Sequence, residues 1–331
     1  MKPVSVLIVI VNYRTPVLAL AALASLGAEV VARGDAHVVL VDNGSAEGSA
    51  EMIAAGMAEQ GLSGWCTLLP IADNRGFAAG NNEALRWYRR ETGELPEYTW
   101  LLNPDTTAHP GAVGALVGFM AAHPAAGIVG GRCLWEDGAI RFTAFRFPSL
   151  ATEITNAVAF GPVTRLLGNK ASVLPIADRP TRADWVSGSS LMIRCAVIER
   201  IGLMDEDYFL YFEESDYCAK ATDAGFEIWT EPASVITHIG GQATGVTGAG
   251  RSINRRPRYW FAARARFFVR RYGAAYAHVT NLLWLLAYPI GRMLFALRRK
   301  ERGDPPLFWW DFLRHYYGPG GLMYKVREMR G

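Results

Sequence analysis

The feature that most constrains this chain is an alternation. Through residues 1–130, short runs of β-branched and apolar residues take turns with helical stretches. Strands are expected at Ser5–Val11, Val38–Asp42, Thr67–Ile71, Tyr98–Asn103 and Ile128–Cys133. Helices are expected from Pro16 through Leu26 with Thr15 as N-cap, from the Asn43-Gly44-Ser45 turn to about Met57, over Ala78–Arg89, and from Pro110 to about His123. Repeated β-α units of this kind imply an α/β fold with a mostly parallel sheet and helices on both faces. The apolar run Val4–Val11 is cut off by Asn12, Tyr13 and Arg14, so it reads as a buried strand and not as a signal peptide.

In open α/β sheets, ligands gather outside the carboxyl ends of the strands. Asn12-Tyr13, Asp42-Asn43, Asp73-Asn74 and Asn103-Pro104-Asp105 stand at or just after four successive strand ends. Each alone is an ordinary turn sequence; together they make an edge of acids and amides. Asp105, just past a buried strand, suits Mg2+ or Mn2+. Such ions keep several waters, need only one or two protein ligands, and bind diphosphate oxygens. His238, at the end of a later strand, is either a second ligand or a structural histidine. Asp42 is placed to accept a hydrogen bond from a nucleotide base or a ribose hydroxyl. No GxGxxG or GxxxxGK[ST] accompanies it, which argues against a dinucleotide site or a P-loop, and no GxSxG or HExxH occurs.

Trp135–Asp184 shows little pattern. Beyond it come a strand at Ser190–Ile193, a helix over Arg194–Ile201, a helix from Glu213 to Ala224 closed by Gly225, and short strands at Glu227–Thr230 and Val235–Thr237. Glu213, Glu214 and Asp216 head the second helix. Glu213 and Asp216 share a face, and Glu214 points roughly 100° away. Three acids there either complement the helix dipole or supply a general base, whose pKa its neighbours raise toward neutrality.

Charge is distributed unevenly. Residues 251–331 hold 17 Lys+Arg against 4 Asp+Glu, whereas residues 1–250 hold 17 against 27. A basic, aromatic tail suits an anionic surface, either membrane or nucleic acid. The nucleic-acid reading leaves the acidic sheet edge without a purpose. Gly273–Gly291 is a run of 19 residues without Lys, Arg, Asp or Glu, close to the roughly 20 of a membrane span. Thr280, Asn281 and Pro289 within it favour a helix lying in the membrane interface; the plain alternative is a packed helical subdomain. Cys66, Cys133, Cys195 and Cys218 form no CxxC, which excludes a zinc ribbon and fits scattered reduced thiols.

Seven motifs recur in order: Ile10-Val11-Asn12-Tyr13; Val41-Asp42-Asn43-Gly44-Ser45; Asn74 through Asn82 in NRGFAAGNN; Leu102-Asn103-Pro104-Asp105-Thr106; Trp185-Val186-Ser187-Gly188 with Ile193-Arg194; Asp205 through Asp216 in DEDYFLYFEESD; and His238-Ile239-Gly240-Gly241-Gln242. This set resembles the inverting family 2 glycosyltransferases of GT-A fold, and among them the bacterial rhamnosyltransferase-like group. The resemblance implies a GT-A catalytic domain over 1–250, with a nucleotide-binding half at 1–130 and an acceptor and catalytic half at 131–250. A helical membrane-associating extension follows at 251–331. By the same resemblance Asp42, with Asn12 and Tyr13 nearby, reads the base, and Asn74, Gly76 and Asn81 line the donor pocket. Asn103 and Asp105 stand for the DxD-type motif, with Asp105 on Mg2+ or Mn2+ and His238 as a C-terminal metal ligand. Trp185 and Gly188 form an acceptor-side or sugar-side wall. Glu214 falls where many members carry the catalytic base, with Glu213 and Asp216 as alternatives in the cluster. Asn103 departs from the usual first Asp, and Glu214 from the usual Asp. The expected activity is metal-dependent transfer of a sugar with inversion, with dTDP-L-rhamnose as donor or, as the alternative, another nucleotide sugar such as a UDP-hexose. The expected acceptor is a polyprenyl-diphosphate-linked saccharide in cell-envelope polysaccharide synthesis, at the inner face of the cytoplasmic membrane, with no nucleic-acid partner. A nucleotide-sugar-binding protein without catalysis is the remote alternative, and the three clustered carboxylates argue against it.

Overall fold

A computed structural model describes residues 2–46, 48–168, 171–241, 254–299 and 303–324. It resolves into two compact units. One comprises Met1–Ala144, Pro175–Phe209 and Glu213–Ala243, and the other Phe145–Leu174, Leu210–Phe212 and Thr244–Gly331.

The first unit begins with the expected β-α alternation. Strands β1 (Val6–Asn12), β2 (Ala36–Asn43), β3 (Cys66–Ile71) and β4 (Tyr98–Leu102) run parallel in the spatial order β3-β2-β1-β4. Helices α1 (Pro16–Arg33), α2 (Ser49–Glu59) and α3 (Phe77–Thr92) connect them. The short strand β5 (Thr106–Ala108), then α4 (Ala112–Ala122), lead to β6 (Ala126–Leu134). Val6, Ile8 and Ile10 of β1 share one core with side chains of α1, α2 and α4, while Val11 meets Gly80 of α3. Helices therefore cover both faces. Each fully buried Val, Leu or Ile contributes roughly 1.5–3 kcal/mol, and every residue of β1 is buried.

Two local expectations change. The first helix runs on past Leu26 to Arg33, because Gly27 serves as a seat for the Trp65 ring and does not end it. Gly34, at φ 66°, ends it by donating to the Val30 carbonyl. Thr15 does not cap it with its side chain; its N–H and hydroxyl both donate to Asn12 Oδ1, at 3.1 and 2.9 Å.

Beyond β6 lie the two-residue strands β7 (Ile140–Arg141) and β8 (Ala144–Phe145), then α5 (Leu150–Val158) and α6 (Gly161–Leu166) of the second unit. Back in the first unit come β9 (Thr181–Arg182), β10 (Trp185–Val186), β11 (Ser190–Arg194), α7 (Cys195–Ile201), α8 (Glu213–Asp223) and β12 (Glu227–His238). β11 inserts antiparallel between β4 and β6, and β12 adds parallel to β6. The two short strands expected at 227–230 and 235–237 are one strand. Its register slips between Glu231 and Val235, where Pro232 has no N–H for the ladder. The far end of β12 pairs antiparallel with β5, with His238 opposite Thr106.

The second unit is helical. With α5 and α6 it contains α9 (Arg258–Tyr272), α10 (Ala274–Leu297) and α11 (Phe308–Tyr317). Ser149 and Thr152 form a reciprocal capping box at the start of α5. Arg264 of α9 is 1% exposed; it donates to Glu153 at 2.6 and 3.1 Å, to Asn281 at 2.7 Å and to Tyr316 at 3.4 Å. Burial opposes its charge, but Glu153 and Tyr316 more than restore it. Removing one partner of such a buried pair costs about 3–5 kcal/mol, so Arg264 fixes α5, α9, α10 and α11 against one another. Arg255 pairs with Asp311 and Arg292 with Asp304. Part of the tail's positive charge is thus spent inside the unit. The expected division at 250/251 lies outside the described residues, as does Gln242, and the middle segment Phe145–Leu174 groups with the tail and not with the first unit.

Among the described residues two helices, α1 and α10, are long and apolar enough to cross a membrane. The first is packed in the core of its unit. α10 is two-faced: Ala277, Asn281, Trp284, Leu285 and Tyr288 are buried, whereas Val279, Leu282, Leu283, Leu286, Ile290, Met293 and Leu297 are 39–74% exposed. Their spacing of three and four residues sets them in one stripe.

Candidate active site

The carboxyl ends of β1 and β2 close into a small polar network. Asn12 Nδ2 donates to Asp42 Oδ1 at 2.7 Å and to Ser49 Oγ at 3.1 Å, and the Ser49 hydroxyl donates to the same Asp42 oxygen at 3.1 Å. Both bonds fall on Oδ1. Asp42 and Asn12 are buried, so this side chain is oriented before any ligand arrives. Tyr13, next to Asn12, is half-buried with the Arg14 guanidinium over its ring at 5.3 Å.

The loop after β3 is docked against the same edge by glycines. A Cβ on Gly44 would stand 2.4 Å from the Asn74 nitrogen, and one on Gly76 would stand 2.0 Å from the Phe209 carbonyl. Both have positive φ, at 66° and 92°. Asn74 Oδ1 accepts from the Gly76 N–H at 2.9 Å and from Asn43 Nδ2 at 3.1 Å. Asn81 donates to the Phe77 carbonyl at 2.9 Å, and the Oδ1 atoms of Asn43 and Asn81 stay buried without a partner. Two buried acceptors are therefore unpartnered in the stretch where a donor pocket was expected.

Asp105 and His238 meet because of strand register. β5 and β12 pair Thr106 with His238, which brings the residue before one beside the residue after the other. Ile239 N–H donates to the Asp105 carbonyl at 3.1 Å, and Gly240 N–H to its Oδ2 at 3.0 Å. Asp105 Oδ1 lies 3.0 Å from His238 Nε2. Burial would raise the Asp105 carboxyl, but His238 and the Gly240 N–H outweigh it and hold it below the ordinary carboxylate range. Asn103 approaches the same imidazole nitrogen at 3.3 Å.

These residues fit a divalent ion. The donor set, a carboxylate held below its ordinary range and an imidazole 3.0 Å from it, is of the kind that would hold Mg2+ or Mn2+. No group of three or more His, Cys, Asp or Glu gathers among the described residues.

The second acidic centre heads α8. Glu213 is 4% exposed and Glu214 is partly covered. The Oε2 atoms of both are buried without a hydrogen-bond partner. Burial, then the neighbouring Glu214 charge, pushes the Glu213 carboxyl well up. Burial raises Glu214 to about 7, with the backbone N–H groups of Glu214 and Gly188 offsetting part of the rise. A Cβ on Gly188 would come to 3.8 Å from Glu214 Oε1 and 3.6 Å from the Phe77 ring. Asp216 is differently placed: Lys220 binds it at 2.6 Å and the Tyr208 hydroxyl donates to it at 3.4 Å. Trp185 is half-buried in β10, three residues before Gly188. The loop Ser187–Ser189 joins the two centres, because Asn103 N–H donates to the Ser189 carbonyl at 3.3 Å.

Sequence reasoning passed over several residues of this edge. Ser49 shares the duty on Asp42. Asn82 holds the Met204 backbone through two bonds, at 2.8 and 3.1 Å, and donates to Glu206. Glu206 also pairs with Arg75 and Arg86. The adjacent Asn81-Asn82 in the quoted motif was the available signal.

The family model for "Glycosyl transferase family 2" matches residues 5–161. The chain is 28% identical over 217 residues to an N-acetylglucosaminyl-diphospho-decaprenol L-rhamnosyltransferase of Mycobacterium tuberculosis, a match covering 63% of this chain and 68% of that one. It is 26% identical over 195 residues to a low-salt glycan biosynthesis hexosyltransferase of Haloferax volcanii, covering 57% and 54%. Among solved structures, a mannosyltransferase from Pyrobaculum calidifontis in complex with GDP-Man and Mn2+ superposes with a TM-score of 0.51 at 18% identity, covering 90% of this chain and 75% of that one. The expected GT-A fold is borne out.

Proposed function

We propose that this glycosyltransferase, whose residues 5–161 match the family 2 model, moves L-rhamnose from dTDP-L-rhamnose, with inversion, onto a hydroxyl of a polyprenyl-diphosphate-linked saccharide. The observation that carries the mechanism is the Glu213–Glu214 pair, with Glu214 raised to about 7. A carboxylate so poised takes the acceptor's hydroxyl proton as that oxygen attacks the anomeric carbon and the bond to the leaving diphosphate breaks. Glu213 beside it is also pushed well up, by burial and then by the Glu214 charge, so the two carboxyl groups oppose each other's ionisation. Asp216, paired with Lys220, holds the helix start. Asp105 and His238 would hold Mg2+ or Mn2+, which when bound supplies positive charge to the leaving diphosphate. Asp42, oriented by Asn12 and Ser49, receives the base, and Asn74, Gly76 and Asn81 frame the donor, with Trp185 and Gly188 as wall.

The rhamnose donor and lipid-linked acceptor are supported by the Mycobacterium relative's activity. Another nucleotide hexose is the second reading, supported by the Haloferax relative. A screen of dTDP-L-rhamnose, UDP-hexoses and GDP-mannose with N-acetylglucosaminyl-diphospho-polyprenol tests both. Release of dTDP at least about tenfold faster than any other nucleotide, abolished by a chelator, is expected. Faster release from a UDP-hexose overturns the rhamnose donor.

The exposed stripe on α10, set in a basic tail, supports a peripheral seat at the inner face of the cytoplasmic membrane. Leu286→Glu with Ile290→Glu should reduce flotation with anionic liposomes in high salt, where the electrostatic share is screened. Unchanged flotation, or none for wild type, sinks the membrane reading.

A further inference from the structure

One cation at the donor edge has no acidic partner among the described residues. Arg141 belongs to β7, which returns antiparallel along β6 with Arg141 opposite Cys133. The turn that returns it is Trp135–Ala139. Trp135 N–H donates to the Ala139 carbonyl at 2.8 Å, and Gly138, at φ 80°, donates to the Trp135 carbonyl at 2.9 Å. Asp137 accepts the Ala139 N–H at 3.0 Å. The Arg141 guanidinium lies over the Trp135 ring at 4.2 Å, and its Nη1 is 3.3 Å from His238 Nδ1. Gly240 leaves it room: a Cβ there would stand 2.6 Å from that Nη1.

Arg141 is half-buried, and no carboxylate among the described residues pairs with it. The acid beyond the imidazole is already committed, Asp105 Oδ1 to His238 Nε2 and Oδ2 to the Gly240 N–H. A partly desolvated charge without a counter-ion is costly, and the guanidinium fork matches phosphate oxygens in pairs. Its place, on the ring nitrogen opposite the one that faces Asp105, sets it beside the residues that fit a divalent ion.

We infer that Arg141 anchors the diphosphate of the nucleotide donor, gripping a phosphate oxygen directly and without needing the metal. The inference rests on the donor reading above. It divides donor affinity in two: a share carried by Arg141 that survives a chelator, and a share carried through Asp105 and His238 that does not. Trp135 and Gly240 hold Arg141 in position for this.

Calorimetric titration of dTDP and of UDP, with and without EDTA, into wild type, Arg141→Met, Arg141→Lys and Asp105→Asn tests the division, with thymidine and uridine binding followed by saturation-transfer NMR. In EDTA, Arg141→Met should weaken diphosphate binding roughly 10- to 100-fold, the worth of a charge-assisted hydrogen bond. Arg141→Lys should recover part of it, and nucleoside binding should not change. Asp105→Asn should keep the EDTA affinity and lose only the gain that Mn2+ brings. Wild-type diphosphate affinity for Arg141→Met in EDTA overturns the inference. Equal loss of nucleoside and diphosphate also overturns it, as that reports a merely structural arginine. If wild type binds neither diphosphate even with Mn2+, the donor reading itself falls, a result distinct from either.

Discussion

Asp105 and the Glu213–Glu214 pair belong to the same unit and are joined through one loop, yet the chain treats their charges in opposite ways. Around Asp105 both carboxylate oxygens have partners, an imidazole and a backbone N–H, and the group stays ionised despite burial. At the head of α8 two carboxyl groups share a site, each with one oxygen unpartnered, and both are pushed up. Burial alone therefore does not set the role of an acid. The supply of donors does: with them the acid is a standing negative charge suited to a cation, and without them it is a proton acceptor poised near neutrality.

The comparison breaks most visibly at Asp105. Asp105→Ala should reduce transfer to background, since several kcal/mol of charge stabilisation at the leaving group depend on it, while the melting curve remains cooperative. Near-normal turnover at limiting Mn2+ would remove Asp105 from the metal site. Glu214→Gln should cost roughly 10²–10⁴ in kcat with donor affinity unchanged. Asp216→Asn, which loses only a pairing with Lys220, should cost less than about tenfold; a larger loss there than in Glu214→Gln would relocate the base.

The pH dependence sharpens the contrast further. A base with a pKa of about 7 gives wild type an acidic limb in kcat near that pH, and Glu214→Gln should flatten it. Stability should move in opposite senses. Glu214 holds its proton more tightly folded than unfolded, so its native state gains protons between about 4.5 and about 7 and stability falls as pH rises through that window. Asp105 is the reverse, contributing stability above its unfolded value of 3.8 that is lost as pH falls through its lowered folded value. At pH 8, Glu214→Gln should therefore raise the melting temperature by a few degrees and Asp105→Asn should lower it; at pH 5 the gain from Glu214→Gln should vanish. Melting shifts of the same sign at pH 8 would mean that the two centres are not electrostatic opposites.

Much of this was legible in the sequence, and the part that was not has a physical cause. β1 to β4 announce themselves because apolar, β-branched runs end in turn residues. The three-residue β5 carries Thr-Thr-Ala and no such pattern, and its partner lies 130 residues on. The meeting of Asp105 with His238 is thus a property of register between distant strands; the strand-end position of His238 left it either a second ligand or a structural histidine, and the family resemblance favoured the ligand. The insertion of β11 between β4 and β6 is equally silent, since local periodicity says nothing of spatial strand order. Other signals were present and unread. Lys220 stands four residues after Asp216, the helical spacing for an ion pair. Asp137-Gly138 marks the turn that places Arg141 within a stretch that otherwise looked irregular.

The pairing of β5 with β12 also sets an order of events during synthesis. Asp105 leaves the ribosome 133 residues before His238, and the strands β1 to β4 can pair while β12 is still unmade. Through that interval the Asp105 carboxylate has neither its imidazole nor the Gly240 N–H. Contacts of such long sequence separation are also the slow ones to form. A nascent chain thus acquires the Asn12–Asp42 edge early and the Asp105–His238 corner last, so that on the proposed reading competence for chemistry arrives only once nearly the whole first unit has been made.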